Sequence, residues 1–189
     1  MEKIKGLFKN SGEEIDIKEL GQADYIQLEL QGKHAKETTT MALISTKDLN
    51  LALDFDWYLS KNGYPMTFGS KTNKRLKFGR GKKIHQIIFR LDGIKLSKPY
   101  VIDHINHNKL DNRRENLRIC TQKQNSYNTS KRNNKYKGVI KNKNGTFSAQ
   151  IFKDGIKHEL KGMSTIEEAA KMYDIMSEEL FGEYAGKNF

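Results

Sequence analysis

The chain has 189 residues, 36% of them hydrophobic and 30% charged, with a formal net charge of +11. That length accommodates one domain or two small ones with modest cores, and the positive excess points to a polyanionic partner. A single cysteine, Cys120, excludes a disulfide framework or a Cys-rich zinc site. No apolar run reaches the roughly 20 residues of a membrane span, and the charged opening MEKIKGLFKN lacks a signal-peptide centre, so the protein is expected in the cytoplasm and not secreted.

The first sixty residues are acid-rich, whereas 71–100 and 109–144 are strongly basic. The opening forty read as a β-rich region of unassigned role. IQLEL at 26–30 alternates, and MALIS at 41–45 predicts another strand. A short helix is expected from Lys47 to Trp57, with Leu49, Leu53 and Trp57 along one side. Asn62-Gly63 signals a hairpin turn between aromatic strands. KTNKRLKFGRGKK forms a basic hairpin or loop, and IHQIIFR at 84–90 fits strand or helix equally.

The stretch Tyr100 to Asn128, YVIDHINHNKLDNRRENLRICTQKQNSYN, predicts strand, polar loop, strand and helix. Tyr100-Val101-Ile102 alternates and ends in Asp103-His104; Leu117 to Cys120 is the second strand, with Cys120 buried in it. Thr121 is a helix N-cap whose capping box closes at Gln124, and Asn125 and Asn128 share one helix face. A hard cation such as Mg²⁺ needs only one or two protein oxygens besides water and phosphate. The Asp103 carboxylate and the Asn125 carbonyl are candidates to supply them. His104 titrates near neutrality and can deprotonate water. Together these groups can hydrolyse a phosphodiester.

These residues also carry a resemblance. Asp103-His104, Asn116 and Asn125 resemble the His-Asn-His (HNH) nuclease motif of the ββα-metal fold, in its variant ending in Asn. The surrounding DHINHNKLDNRRENLRICTQKQNSYN is similar to phage and intron homing endonucleases. The resemblance implies His104 as general base, Asp103 and Asn125 as ligands of Mg²⁺ (with Mn²⁺ as a substitute), and Asn116 as the residue tying the two strands and orienting the base. His85 stands where similar nucleases place a His near the active site, either as its support or as a structural residue. His107 in the loop and Asn128 on the helix are further candidate supports.

After Asn128, TSKRNNKYKG reads as a basic linker or helix end lying along DNA. From Lys135, three alternating runs separated by Asn144-Gly145 and Asp154-Gly155 predict an antiparallel meander. Ser164-Thr165 with Glu167-Glu168 opens a helix whose stripe is Ala169, Ala170, Tyr173, Met176 and Leu180, with Gly182 as its stop. YKGV, GTFSAQI, TIEEAAKMYD and the closing Asn188-Phe189 resemble the DNA-binding domain of plant ethylene-response factors (the APETALA family), which implies a sheet that enters the major groove.

The fold expected is α+β: a ββα-metal nuclease core with added β-hairpins, then a three-stranded antiparallel sheet packed on one helix. The expected boundaries are 1–40, a nuclease domain 41–130, a linker 131–134 and a DNA-binding domain 135–189. Double-stranded DNA is the expected partner. Its contacts are expected from Lys74, Arg75, Arg80, Lys82, Lys83, Arg113, Arg114, Lys131 and Arg132. In the last domain Lys137 and Lys141 are expected on phosphate, and Asn142, Asn144 and Gln150 on adenine edges. The resemblance implies a sequence-specific homing endonuclease, phage- or intron-encoded, acting as a monomer in the host cytoplasm, with a homodimer left open. Two alternatives are an inactive DNA-binding regulator and an HNH restriction or structure-specific nuclease.

Overall fold

Alternation of apolar and polar residues sets the first layer. The computed structural model describes residues 3–8, 14–16, 24–35, 40–70, 81–129 and 135–189. Strands β1 (Lys3–Phe8), β2 (Glu14–Asp16), β3 (Tyr25–Leu30) and β4 (Thr40–Ser45) lie in one five-stranded sheet. Its order is β2, β1, β3, β4 and then the two residues Asp111–Asn112, which run parallel to β4. Along β3, Ile26, Leu28 and Leu30 are buried while Glu29 is exposed, the period of two that a half-covered sheet demands.

Contacts divide the chain into two compact units, Met1–Ser97 with Ile102–Ile119, and Lys98–Val101 with Cys120–Phe189. The core of the first unit gathers Ile26, Leu28 and Leu30 with Phe55, Trp57, Ile84, Ile88 and Leu117. The opening forty residues therefore do not form a separate region, because their one described apolar strand fills the same core as the motif. A second difference concerns the helix expected from Lys47 to Trp57. The structure has a 3₁₀ turn at Thr46–Asp48, helix α1 at Leu49–Asp54, and then strand β5 at Phe55–Leu59. Phe55 and Trp57, two apart, both point inward, which a strand permits and a helix does not. The Trp57 indole N–H donates to the Leu51 carbonyl at 3.2 Å, so the buried ring keeps its polar atom satisfied.

β5 pairs with β6 (Pro65–Ser70) through the Asn62-Gly63 turn, where Gly63 takes a φ of 76°. The third strand of this small sheet is β7 (Lys82–Lys83). The ambiguous IHQIIFR resolves as helix α2 (Ile84–Leu91), with Ile84, Ile87 and Ile88 buried at helical spacing. The motif stretch has the expected order: β8 (Tyr100–His104), loop, β9 (Asp111–Asn112), a 3₁₀ turn at Arg114–Asn116, β10 (Leu117–Thr121) and α3 (Gln122–Tyr127). β8 pairs with β10. Cys120 is buried, as expected. The capping box also forms: the Gln124 N–H donates to Thr121 Oγ1 at 3.2 Å and the Thr121 N–H donates to Gln124 Oε1 at 2.8 Å.

In the second unit, β11 (Val139–Lys141), β12 (Phe147–Lys153) and β13 (Ile156–Met163) form the antiparallel meander, backed by α4 (Ile166–Phe181). Ala149 and Ile151 of β12 pack on Tyr173 and Met176 of α4. Thr165 caps α4 in a box with Glu168, and Gly182 closes it. Gly138 explains the YKG wording: its φ is 68°, and a Cβ there would lie 2.1 Å from the Tyr173 ring. The closing Asn188 is a clasp. Its Oδ1 accepts from the Lys137 N–H at 2.7 Å, and its own N–H donates to Asp174 at 2.7 Å.

The expected boundary at residue 130 also moves. α3 belongs with the second unit. The Tyr127 ring stacks on Phe181 at 4.0 Å, Lys123 pairs with Asp154 at 2.6 Å, and Lys137 Nζ donates to the Tyr127 carbonyl at 2.7 Å. Aromatic stacking across fifty residues leaves no signature in a local pattern. Among the described residues, no helix is long and apolar enough to cross a membrane.

Candidate active site

The loop between β8 and β10 is held by its own amides, which is why its sequence is so rich in Asn. The Ile105 N–H donates to the Asn116 carbonyl at 2.9 Å, the Asn106 N–H to Asn116 Oδ1 at 2.9 Å, and Asn116 Nδ2 to both Asn106 Oδ1 and the Asp111 carbonyl. Asn116 thus closes the loop that begins directly after His104. Asn108 caps the next turn, its Oδ1 accepting from the Leu110 N–H at 3.1 Å. Buried amides paired this completely hold the residues beside them rigidly.

Asp103 and His104, 6% exposed each, sit at the end of β8. Asp103 Oδ2 accepts from Arg118 Nε at 3.0 Å and Nη2 at 2.8 Å, a partner on the facing strand that the sequence reading did not single out. His104 Nε2 lies 3.2 Å from Asn112 Oδ1. Asn112 Nδ2 donates to the Lys109 carbonyl at 3.1 Å, which fixes the amide's orientation. Oδ1 therefore faces the imidazole, Nε2 carries the hydrogen, and Nδ1 is the basic nitrogen of that tautomer. Orientation of the candidate base falls on Asn112, whereas Asn116 ties the loop. Asn112 is fully buried, but two residues of strand inside a polar loop give no sequence signal.

His85 lies on the buried side of α2, its ring edge-on to His104 with centroids 4.9 Å apart. Burial, the neighbouring His104 and the Lys83 charge push its pKa down to about 3, against the Asn112 amide. Its Nδ1 has no hydrogen-bond partner among the described residues. Burial likewise lowers the pKa of His104, opposed by the Asn112 bond and the Asp103 and Asp111 carboxylates. At neutral pH both rings are uncharged, the state a general base requires.

A measurable consequence attaches to His85. Its folded pKa of about 3 lies below the ordinary value of 6.5. Between those values the unfolded chain binds a proton that the folded chain refuses, so stability falls as pH drops through that window, by up to about 1.4 kcal/mol per pH unit. Urea unfolding at pH 7 and pH 5 should show a larger loss for the wild type than for His85→Gln. Equal losses would remove His85 as the cause.

The remaining expected residues divide. Asn125 (half-buried) and Asn128 (buried, at the C-cap of α3) belong to the second unit, whereas Asp103, His104 and Asn116 belong to the first. His107 is exposed in the loop with a φ of 63°. Lys82, Lys141 and Asn144 are exposed, and Lys83 and Gln150 are half-exposed. Lys74, Arg75, Arg80, Lys131 and Arg132 lie outside the described residues.

Three expected DNA contacts are engaged within the protein instead. Arg113 forks onto Asp111 with two bonds of 2.8 Å and also pairs with Glu115. Arg114 binds the buried Asp48 and also Asp92, and its N–H donates to Ser45 Oγ. Hydrogen bonds to these carboxylates raise both guanidinium pKa values and lower those of Asp92 and Asp111. Lys137 is mostly buried, its pKa is lowered by burial, and its ammonium serves the Tyr127 carbonyl. A cation read from a basic run cannot be told from one that has an acid waiting elsewhere in the fold. In the turn before β12, Asn142 bonds Thr146 Oγ1 and Ser148 Oγ, and Asn144 Oδ1 accepts from Thr146.

Comparison with known proteins agrees with this geometry. A family model described as HNH endonuclease matches residues 82–127, from β7 through α3. An uncharacterized HNH endonuclease of Acanthamoeba polyphaga mimivirus is 40% identical over 152 residues, 79% of this chain and 75% of that protein. No solved structure matches the chain.

Proposed function

The chain belongs to the HNH endonuclease family, and from that premise we propose that it is a metal-dependent DNA endonuclease with His104 as general base. The observation that carries this reading is the hydrogen bond between His104 and Asn112: an uncharged imidazole in one tautomer, directly after an aspartate at a strand end. His104 Nδ1 takes a proton from water, which then attacks a DNA phosphorus. Asn112 keeps the ring from rotating and stabilises the imidazolium that forms, because its oxygen accepts the Nε2 hydrogen.

Asp103 offers a hard carboxylate donor. Arg118 binds one of its oxygens, and a carboxylate has about four acceptor positions, so the donor set suits a divalent cation. Asp103 and Asn125 would hold Mg²⁺, with Mn²⁺ as a substitute. The cation neutralises charge on the phosphate and the departing oxygen.

Specificity comes from the second unit. Pairing of β12 with its neighbours turns Ala149 and Ile151 toward α4, so Gln150 and Phe152 face the other way, and Phe152 is 60% exposed. That face, with Gln150 and the neighbouring Lys141, is the proposed DNA-reading surface, in the manner of the ethylene-response-factor domain. A long recognition site read by an attached module is the economy of a homing endonuclease, since the nuclease site itself contacts phosphate and carries little sequence information.

Supercoiled plasmid tests the reading. Wild type should nick it with Mg²⁺ and leave it intact with EDTA, and Asp103→Ala should lose the metal-dependent nicking. One chain carries one such site, so nicked circles should precede linear product. Cleavage that proceeds equally in EDTA would end the metal assignment.

A further inference from the structure

Most cations around the active site have an acid. Arg118 has Asp103, Arg113 has Asp111, and Arg114 has Asp48 and Asp92. Two do not. Lys83 Nζ stands 3.7 Å from the centroid of the Tyr64 ring, and Lys109 Nζ stands 4.6 Å from the same centroid. Neither ammonium meets a carboxylate among the described residues. Lys109 Nζ donates to the neutral Asn62 carbonyl at 3.0 Å, in the turn just before Tyr64.

The two charges repel. Lys83 has its pKa lowered by burial and then by the Lys109 charge. An arrangement of like charges on one ring costs free energy in the isolated protein, and the π face returns only about 0.5–1 kcal/mol for each cation at such sites. A bound anion would reverse the balance.

The location names the anion. The Tyr64 ring is edge-on to His85 at 5.7 Å and lies 6.2 Å from the ring of His104. The Asp103 charge reaches Tyr64 as well, raising the phenol's pKa after burial does. Three segments far apart in sequence converge here: the turn after β5, the residue opening α2, and the loop after β8. Tyr64 is the seat shared by both ammonium groups and both imidazoles.

We propose that Lys83 and Lys109, seated on the Tyr64 ring beside His104, clamp the phosphate of the DNA strand that is cut. Two ammonium groups on neighbouring segments suit the two non-bridging oxygens of one phosphodiester. They hold the phosphorus in place before the proton transfer and oppose the charge that grows on those oxygens during attack. Tyr64 acts as a positioning residue: it touches no substrate and fixes where the two charges stand. This inference rests on the nuclease reading for its substrate, but it assigns residues which that reading does not need.

The test uses the full chain and a fluorescent DNA duplex spanning a cleavage position mapped on plasmid. Binding is measured in EDTA over a range of salt concentrations, so that no catalysis enters. Each phosphate contact contributes about 0.9 to the slope of log affinity against log salt. Lys83→Gln and Lys109→Gln should each lower that slope by about 1, and the double variant by about 2. Single-turnover cleavage with Mg²⁺ should fall at least about tenfold in the double variant. Lys→Arg at both positions should restore the slope. Tyr64→Leu should slow cleavage and Tyr64→Phe should not, because the phenyl face alone seats the cations. A thermal melt monitors folding of each variant. An unchanged salt slope in a folded double Gln variant overturns the clamp, even if wild type cleaves DNA. A wild type that fails to cleave while the variants still lose slope overturns the nuclease reading and leaves the anion site standing.

Discussion

Replacing His104 by alanine should slow plasmid cleavage by about 10²- to 10⁴-fold, the usual contribution of a positioned general base, while affinity for DNA in EDTA stays within about twofold of wild type. The expectation follows from geometry. The imidazole is buried at the end of β8, and burial lowers its pKa from the ordinary 6.5, so it is uncharged at neutral pH. Its Nε2 hydrogen is committed to Asn112, whose own Nδ2 is committed to the Lys109 carbonyl. Truncation removes the proton acceptor and leaves the basic surfaces intact. Because the folded pKa lies below 6.5, the acid limb of the wild-type pH–rate profile should also lie below that of a free imidazole. Cleavage by the alanine variant at the wild-type rate would remove the base assignment. A wild type that binds DNA and never cuts would favour the inactive-regulator reading.

Arg114→Ala should destabilise the protein by about 3 kcal/mol, with a fall in Tm of about 10 °C. Arg114 reaches Asp48 with bonds of 2.7 and 2.9 Å. Asp48 is 7% exposed at the start of α1, so losing its partner leaves a carboxylate stranded in a poorly solvated place. Arg114 also holds Asp92 beyond the end of α2, and its backbone N–H holds Ser45 at the end of β4. One side chain therefore joins α1, α2 and the motif loop. The side chain is a quarter exposed, which keeps the cost at the lower end of the range for a broken buried pair. A DNA-contact role would give the opposite pattern: weaker, less salt-dependent DNA binding with an unchanged melt. Circular dichroism melting alongside binding separates the two.

The pairing partner is what local reading lacked. Arg113, Arg114 and Lys137 have the same sequence surroundings as solvated cations: basic runs, polar neighbours and turn residues. Asp48 is 66 residues from Arg114, and the partner of Lys137 is a backbone carbonyl. The aromatic strand after α1 failed for a related reason. Leu49, Leu53 and Trp57 fit a helical stripe, but burial of both Phe55 and Trp57 on one side required an extended chain. Local signals that involve only near neighbours were legible: the capping boxes at Thr121 and Thr165, the Asn62-Gly63 and Asp154-Gly155 turns, and the three strands of the meander. Each is satisfied within a few residues, so the pattern contains all its partners.

By itself the sequence determined the elements around the motif and the residue types available for chemistry: Asp103-His104 at a strand end, an Asn-rich loop, a capped helix carrying Asn125. It also determined a basic chain suited to DNA. Tertiary structure alone decided that Asn112 orients His104, that Arg118 holds Asp103, that the arginines of the loop serve the core, and that Tyr64 gathers two lysines and two histidines. Caps and turns are settled by bonds within a few residues. The orientation of a buried imidazole and the burden on a cation are settled by whatever the fold packs against them, and that is written nowhere near them in the chain.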